Sequence, residues 1–371
     1  MKSGTRRSAV CLLVLSFSIH SASAADETDA AVKLRGFGTI GAAHSSLKQA
    51  DFVGSPLQDS GAGATHKWAF GVDSKLGLQL DARLTDRLDG VVQVVSQQRS
   101  DVGYRPQVEW AYLKYEIAPD FLLRAGRVIL PAFMVSESRL VGYANHWARP
   151  PIESYNLSPF SNSDGVDVSY QSQLGSGRNT IQLIYGNLDA EAVDVTPRGT
   201  EILRARFRDI VAINDTYEIG NWTWRAAAIT GKAHAPSLDS RLKFFNLGVG
   251  YDVGNWFVQA ELSRLLFPGA VRPSTARYVT LGLRQGSLTP YLIYSSVASS
   301  DSQVALLPND QRSYSAGVRW DFSRQASVKL QLDRVSIRGG AGGNGFFINT
   351  RPDFVSGSGA TVVSAVIDFT F

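Results

Sequence analysis

The 371-residue chain holds one cysteine, two methionines and five histidines, and 19% of its residues are charged. A lone Cys excludes a disulfide framework and a cysteine-based zinc site. After residue 25 no run approaches the ~18 unbroken apolar residues of a membrane-crossing helix. Helical periodicity is missing throughout. What the chain does have is apolar bulk, with 44% hydrophobic residues and many glycines and aromatic rings, and this excludes disorder.

The first 24 residues read as a secretory signal peptide, cleaved before folding, which leaves 25–371 as one domain. Lys2, Arg6 and Arg7 form the basic region, 9–19 the apolar core and Ala22-Ser23-Ala24 the small-x-small cleavage site. Cys11 leaves with the leader and follows no lipobox, so the mature chain is cysteine-free, as suits an oxidising compartment. Without the leader's three cations, 34 basic residues face 33 acidic ones, a formal charge of +1. Overall charge therefore gives no case for nucleic-acid binding.

The remaining chain alternates with a period of two. Val72, Leu76, Leu78, Leu80 and Leu84 oppose Asp73, Lys75, Gln79, Asp81 and Arg83. Phe245, Leu247, Val249 and Tyr251 share a face, as do Trp256, Val258, Ala260 and Leu262. Val328, Leu330 and Leu332 oppose Lys329, Gln331 and Asp333. Short links at 85–87, 118–120, 175–177, 220–221, 254–255, 286–287 and 323–325 take turns with long polar ones. The long ones lie near 46–66, 99–106, 131–163, 188–199, 231–240, 265–275, 298–310 and 336–358. Tight turns on one rim and long loops on the other predict an all-β, transmembrane, antiparallel up-and-down barrel of about sixteen strands. Aromatics gather beside the short turns, where amphipathic rings suit a membrane–water boundary. Gly220-Asn221-Trp222 recurs as Gly254-Asn255-Trp256; Phe121, Tyr291, Trp320 and Phe322 hold similar places. In the last strand Thr361, Val363, Ala365, Ile367, Phe369 and Phe371 share one face.

Three stretches carry a resemblance to Gram-negative outer-membrane porins. Val32-Lys33-Leu34-Arg35-Gly36-Phe37-Gly38-Thr39 looks like their opening strand. Val108-Glu109-Trp110-Ala111-Tyr112-Leu113-Lys114-Tyr115, then Leu123-Arg124-Ala125-Gly126-Arg127 and Pro131, resembles the strands before their inward-folded third loop. Phe371, with Phe369 and Ile367, is similar to the terminal signal read by the outer-membrane assembly machinery. The Pro-Glu-Phe-type turn of many general porins is absent. The resemblance implies passive diffusion of ions and small hydrophilic solutes, a homotrimer in the outer membrane, and no cofactor.

A pore needs a polar lumen, a constriction and a field. Arg204, Arg206 and Arg208 share one face of a strand-like stretch; at the bilayer midplane a lipid-facing Arg costs about 2–4 kcal/mol, so the row is expected on the lumen wall or near a rim. A ladder favouring anions and a merely solvated basic face are both open. Asp209 breaks the parity, which calls for a bulge or a subunit contact. The long link at 131–163, with Glu137, Arg139, His146, Arg149, Pro150, Pro151 and Glu153, is expected to fold inward. There Glu137 and Glu153 would face the arginine row; a loop covering only the mouth is the plainer alternative. Strand parity adds Arg225, Arg284, Arg319, Asp321, Lys329 and Asp333 to the lumen. Arg264, Arg277 and Arg334 fall on apolar-face parity beside long links. They are expected at the outer rim, pairing with lipopolysaccharide phosphates or snorkelling to water.

Two rivals stand beside a general diffusion pore. A channel specific for sugar, phosphate or an organic acid has the same architecture. A hydrolase barrel needs a positioned base, yet His44, His66, His146 and His234 sit in no Ser/His or Asp/His motif. The stretch 161–167 lacks the closing Glu of a calcium loop and reads as a turn into a strand, so no metal is expected.

Overall fold

The computed structural model describes residues 31–100, 102–196, 199–235, 238–300, 310–338 and 343–371. The leader expected at 1–24 lies outside the described residues. The rest forms one closed sheet. Its first half comprises β1 (Val32–Ser45), β2 (Lys75–Thr85), β3 (Leu88–Gln97), β4 (Gln107–Ala118), β5 (Phe121–Ile129), β6 (Asn162–Leu174), β7 (Gly177–Thr196) and β8 (Gly199–Ile219). The second half comprises β9 (Trp222–Ala235), β10 (Leu238–Asp252), β11 (Trp256–Leu266), β12 (Ser274–Leu283), β13 (Leu288–Ser299), β14 (Gln311–Asp321), β15 (Ala326–Ile337) and β16 (Gly359–Thr370). Each strand pairs antiparallel with its neighbours in sequence, and β1 pairs with β16, which closes the cylinder and leaves no edge. Among the described residues, helix is confined to a 3-10 turn at Gly142–Ala144 and to α1 (Ile152–Tyr155).

The distribution of polarity is the reverse of a soluble protein's. Leu34 is 67% exposed, Leu292 60% and Leu247 59%, whereas Ser263, Thr280, Ser327, Ser364 and Lys329 are fully buried. A contiguous apolar exterior of this extent belongs against another apolar phase. Since every backbone ladder is satisfied within the closed sheet, the exterior can enter hydrocarbon without stranding N–H or C=O groups.

Beside the short turns, Trp222, Tyr251 and Trp256 form a chain of outward rings, with centroids 4.4 and 5.3 Å apart, and Trp224 stacks on Trp222 at 5.6 Å. The turns before Trp222 and Trp256 require the left-handed φ of Gly220 (56°) and Gly254 (86°), which explains the repeated Gly-Asn-Trp. Tyr291 departs from this group. It is buried, lies over Gly317, and donates to Gln331 Oε1 at 2.9 Å.

Two expected long links are strand instead. The stretches 188–199 and 231–240 belong largely to the β7–β8 and β9–β10 hairpins, whose ladders run on to Thr196↔Gly199 and Ala235↔Leu238. A ladder consumes backbone groups only, so polar side chains such as Asp189 and Lys232 do not end it once the strands have left the lipid.

The closing seam is packed from both sides. Gly36 and Gly38 of β1 lie directly under the rings of Phe371 and Phe369, with no room for a Cβ, and Gly36 and Phe371 exchange two backbone hydrogen bonds of 2.7 and 2.9 Å. Beyond the strand ends, the fully buried Asp51 ties the β1–β2 link to the β15–β16 link. Its carboxylate accepts from Thr65 N (2.7 Å), Thr65 Oγ1, Gly61 N (3.3 Å) and Asn349 Nδ2 (2.8 Å).

Candidate functional site

The wet faces of β11 and β13–β16 are covered by the segment 130–161, which joins β5 to β6. Arg149 holds it most firmly. Its guanidinium takes Asp73 with two bonds of 2.8 and 2.6 Å, reaches Asp333 at 3.2 Å, and donates to Ser364 Oγ at 2.5 Å. Burial alone would lower the Arg149 pKa, but Asp73 and Asp333 outweigh it and raise it. The fully buried Lys329 pairs with Asp368 at 2.8 Å and donates to the carbonyls of Gly142 (2.8 Å) and Trp147 (3.1 Å). Arg319 pairs with Asp321 and donates to the carbonyls of Tyr143 (2.7 Å) and Asn145 (2.8 Å).

Two carboxylates on this side are held without a cation. Glu153 of α1, 1% exposed, accepts from Ser295 Oγ (2.6 Å), Gln311 Nε2 (2.7 Å) and Ser313 Oγ. Glu261 of β11 accepts from Met134 N (3.1 Å), Tyr155 OH (2.8 Å) and Tyr278 OH (2.6 Å). Buried carboxylates persist only when such donors replace their water. The segment also brings its own apolar packing. Phe133 stacks on Tyr155 at 4.3 Å and meets Phe244 edge-on at 5.3 Å, and Trp147 meets Tyr278. His146 stacks on Phe257 at 3.9 Å. Burial, reinforced by Arg284, Arg319 and Lys329, lowers its pKa from 6.5 to about 4, so it is neutral at physiological pH.

The β2–β8 side is open by contrast. A cavity of about 680 Å³ lies between it, the links at 54–58 and 97–109, and the other flank of 130–161. Lys75, Glu109, Arg127, Arg139, Tyr155 and Phe160 are among its lining residues. Arg139 donates to the carbonyls of Ser158 (2.8 Å) and Tyr155 (3.0 Å) under the rings of Phe133 and Tyr155; burial lowers its pKa to about 10, so it keeps its charge. Glu109 accepts from Ser161 and Asn162, and Arg127 pairs with Asp164 at 2.7 Å. Asp164 and Asp167, from the stretch that faintly resembles a calcium loop, lie in β6 and pair with Arg127 and Arg124.

Several expected placements change. A bulge does occur at Asp209, which has φ 51°, and the β8–β9 register shifts between Arg208 and Val211. It leaves Phe207 buried against Phe160 and puts the flanking Arg206 and Arg208 on the opposite face. Arg208 pairs there with Asp189 at 2.6 Å, and their cross-strand partners are the exposed His234 and Lys232. The described part of the arginine row is thus a solvated cluster at the rim, where Arg206 and Asp189 are also among the residues that line the cavity on the β2–β8 side. The Arg204 side chain lies outside the described residues.

Glu153 is an anchor and does not face that row, whereas Glu137 is exposed. Arg319 and Lys329 lie on the wet faces of β14 and β15 and are covered by the segment, whereas Arg149 belongs to the segment itself and also lines the cavity. Arg225 is half-buried on the wet face of β9, and its Nε has no hydrogen-bond partner. Arg264, Arg277 and Arg334 lie on the bare apolar face and hydrogen-bond Thr275 (2.6 Å), Ser296 (3.3 Å) and Thr361 (2.9 Å). Sequence reasoning missed Asp73, Asp368 and Glu261. Each looks like any polar residue on an alternating strand, and only its partner across the cylinder distinguishes it.

No family model and no curated protein matches the chain. Solved structures do. An anion-selective porin from Comamonas acidovorans superposes with a TM-score of 0.58 at 14% identity, over 92% of this chain and 99% of the other. Salmonella typhi OmpF in complex with daunomycin gives 0.61 at 13%, over 92% and 97%. The outer-membrane channel DcaP of Acinetobacter baumannii gives 0.59 at 14%, over 92% and 97%. The fold is therefore that of the outer-membrane porins: a closed, antiparallel, sixteen-stranded barrel.

Proposed function

We propose that this protein is a Gram-negative outer-membrane channel for passive diffusion of ions and small hydrophilic solutes, with the third long link, 130–161, folded inward to narrow it. The observation that carries the reading is the uneven lumen. The segment is fastened to one side of the inner wall, and a polar cavity of about 680 Å³ stays open against the other. A water-filled passage of this kind selects by size and local charge and breaks no bonds. Export by the leader, recognition of Ile367, Phe369 and Phe371 by the assembly machinery, and a homotrimer in the membrane belong to the same proposal. No cofactor is required.

Reconstitution into planar lipid tests it. Steady ohmic single-channel current is expected. A pure, folded protein with no current overturns the channel, and hydrolysis of lipid or peptide by that protein would favour an enzyme barrel. Current blocked in a saturable way by one sugar, phosphate or organic acid would identify a substrate-specific channel within the same class.

A further inference from the structure

Met134 is the one methionine after Met1, and its side chain is seated on bare backbone. A Cβ added to Gly248 would lie 2.6 Å from Met134 Cγ and 2.8 Å from its Sδ, and one added to Gly250 would lie 3.2 Å from its Cε. The thioether thus lies along the wet face of β10, in a trough that two missing side chains provide. The residue is only half-buried there, so the rest of it meets the lumen.

The strand register gives the sulfur two unlike neighbours. Gly248 is directly opposite Arg225 on β9 and directly opposite Glu261 on β11, so one row of the wall reads Arg225, Gly248, Glu261. Side chains opposite one another across a ladder start about 4.5–5.5 Å apart. A cation and a carboxylate therefore flank the place that Met134 fills. The two are not equally served. Glu261 accepts from Met134 N, Tyr155 OH and Tyr278 OH, whereas Arg225 Nε is buried with no hydrogen-bond partner. A thioether sulfur is too weak an acceptor to meet that donor. A buried donor left unmet favours any change that brings it an acceptor.

We propose that Met134 is a modification site at which a small hydroperoxide, hydrogen peroxide in the simplest case, converts the thioether to a sulfoxide whose oxygen is taken by Arg225. The sulfur lone pair attacks one peroxide oxygen; an S–O bond forms and the O–O bond breaks. The departing hydroxide collects the proton on the transferred oxygen and leaves as water. Sulfur loses two electrons and the peroxide gains them. The new oxygen is a strong acceptor with partial negative charge, so Glu261 repels it and the Arg225 guanidinium donates to it. Its direction is thereby fixed toward β9, and one of the two sulfoxide epimers is favoured. The change is reversible, with a separate reductase for each epimer. While it lasts, Arg225 is withdrawn from the field that passing ions meet. The inference goes beyond passive diffusion and needs a wet lumen, not a steady current.

The experiment treats the purified, folded barrel with hydrogen peroxide and follows Met134 by peptide mass spectrometry. Burial alone would slow oxidation relative to the chain unfolded in urea; the site predicts a folded rate equal to or above the unfolded one. Arg225→Leu is expected to slow it about tenfold, the worth of one hydrogen bond to a charged group. Arg225→Lys should recover part of the rate. Epimer-specific reductases are expected to find at least about a tenfold excess of one epimer in the folded protein and near-equal amounts in the unfolded chain. Heat-modifiable gel mobility shows that each variant is folded, and a misfolded Arg225→Leu is replaced by Arg225→Gln, with a smaller slowing of the same sign.

Protection of Met134 in the folded barrel overturns the site, and so does an equal mixture of epimers. Equal rates in wild type and Arg225→Leu overturn the capture by Arg225. In planar lipid, peroxide should move the wild-type reversal potential toward cations, and Met134→Leu should abolish that response. The same shift in Met134→Leu would trace it to another oxidised side chain and overturn the switch. Absent conductance in wild type sinks the channel reading alone and leaves the rate and epimer results to decide the site.

Discussion

The two sides of the inner wall are built from the same alternating pattern and are used in opposite ways. On β11 and β13–β16 the polar residues are consumed by the 130–161 segment, through Arg149, Lys329, Arg319 and Glu153. On β2–β8 comparable residues face the cavity, and Lys75 has no hydrogen-bond or ion-pair partner among the described residues. A polar residue on a barrel's wet face is thus either a fastener or a wall. The difference lies in what crosses the cylinder to meet it, and alternation carries no record of that.

The comparison breaks most readily at Arg149. Arg149→Met leaves Asp73 and Asp333 buried without their cation, a loss expected to cost about 3–5 kcal/mol. The segment should then detach, and single-channel records should show larger and noisier current; quiet, wild-type openings would show that Arg149 does not fasten it. Glu153→Ala strands Ser295, Gln311 and Ser313 and should cost roughly 1–3 kcal/mol, with flicker between two current levels as its sign. On the open side, Lys75→Glu should move the reversal potential in a salt gradient toward cations without altering thermal stability much. A fall in stability with no shift in selectivity would mark Lys75 as a fastener after all.

His146 gives a weaker effect with a definite sign. Its pKa is held near 4 against an ordinary 6.5, so as pH falls through that interval the unpacked imidazole takes up its proton first. The stacked arrangement is at full strength above about pH 6.5 and weakens toward pH 4. Proton titration of the ring by NMR checks this, and a midpoint above 6 would remove His146 from Phe257. Arg206→Glu with Arg208→Glu should change least. Arg206 touches the cavity, but its side chain lies on the face away from Phe207 and Arg208 is paired with Asp189, so a strong cation shift in reversal potential would return both to the pore field.

Much of the fold was legible because period-two alternation, short turns and boundary aromatics are local signals. The strand count, the closed topology and the outward Trp222 and Trp256 could all be read from them. The β7–β10 extensions were not legible, because polar residues were read as loop although nothing in a ladder excludes them. At the site, Arg319 and Lys329 were found by parity and Arg149 by its place in the long link, all three as lining; the structure adds their role as anchors, and Arg149 lines the cavity as well. Their partners lie up to 215 residues away, as with Arg149 and Ser364, and no spacing rule reaches that far. The arginine row was legible as a row but its facing was not, for a definite reason. The bulge at Asp209 reverses the faces, and a one-residue slip inverts every side chain on the far side of it.

The Asp51 knot bears on how the barrel yields to force. It clamps the first and last links above the line where β1 meets β16. A cantilever tip pulling on the long-link rim near this junction meets the Asp51–Asn349 bond and the paired backbone bonds between Asp51 and Ile348 before any hairpin begins to peel. The first rupture in such an extraction trace should therefore be the highest, and Asp51→Ala should flatten it while later peaks keep their spacing.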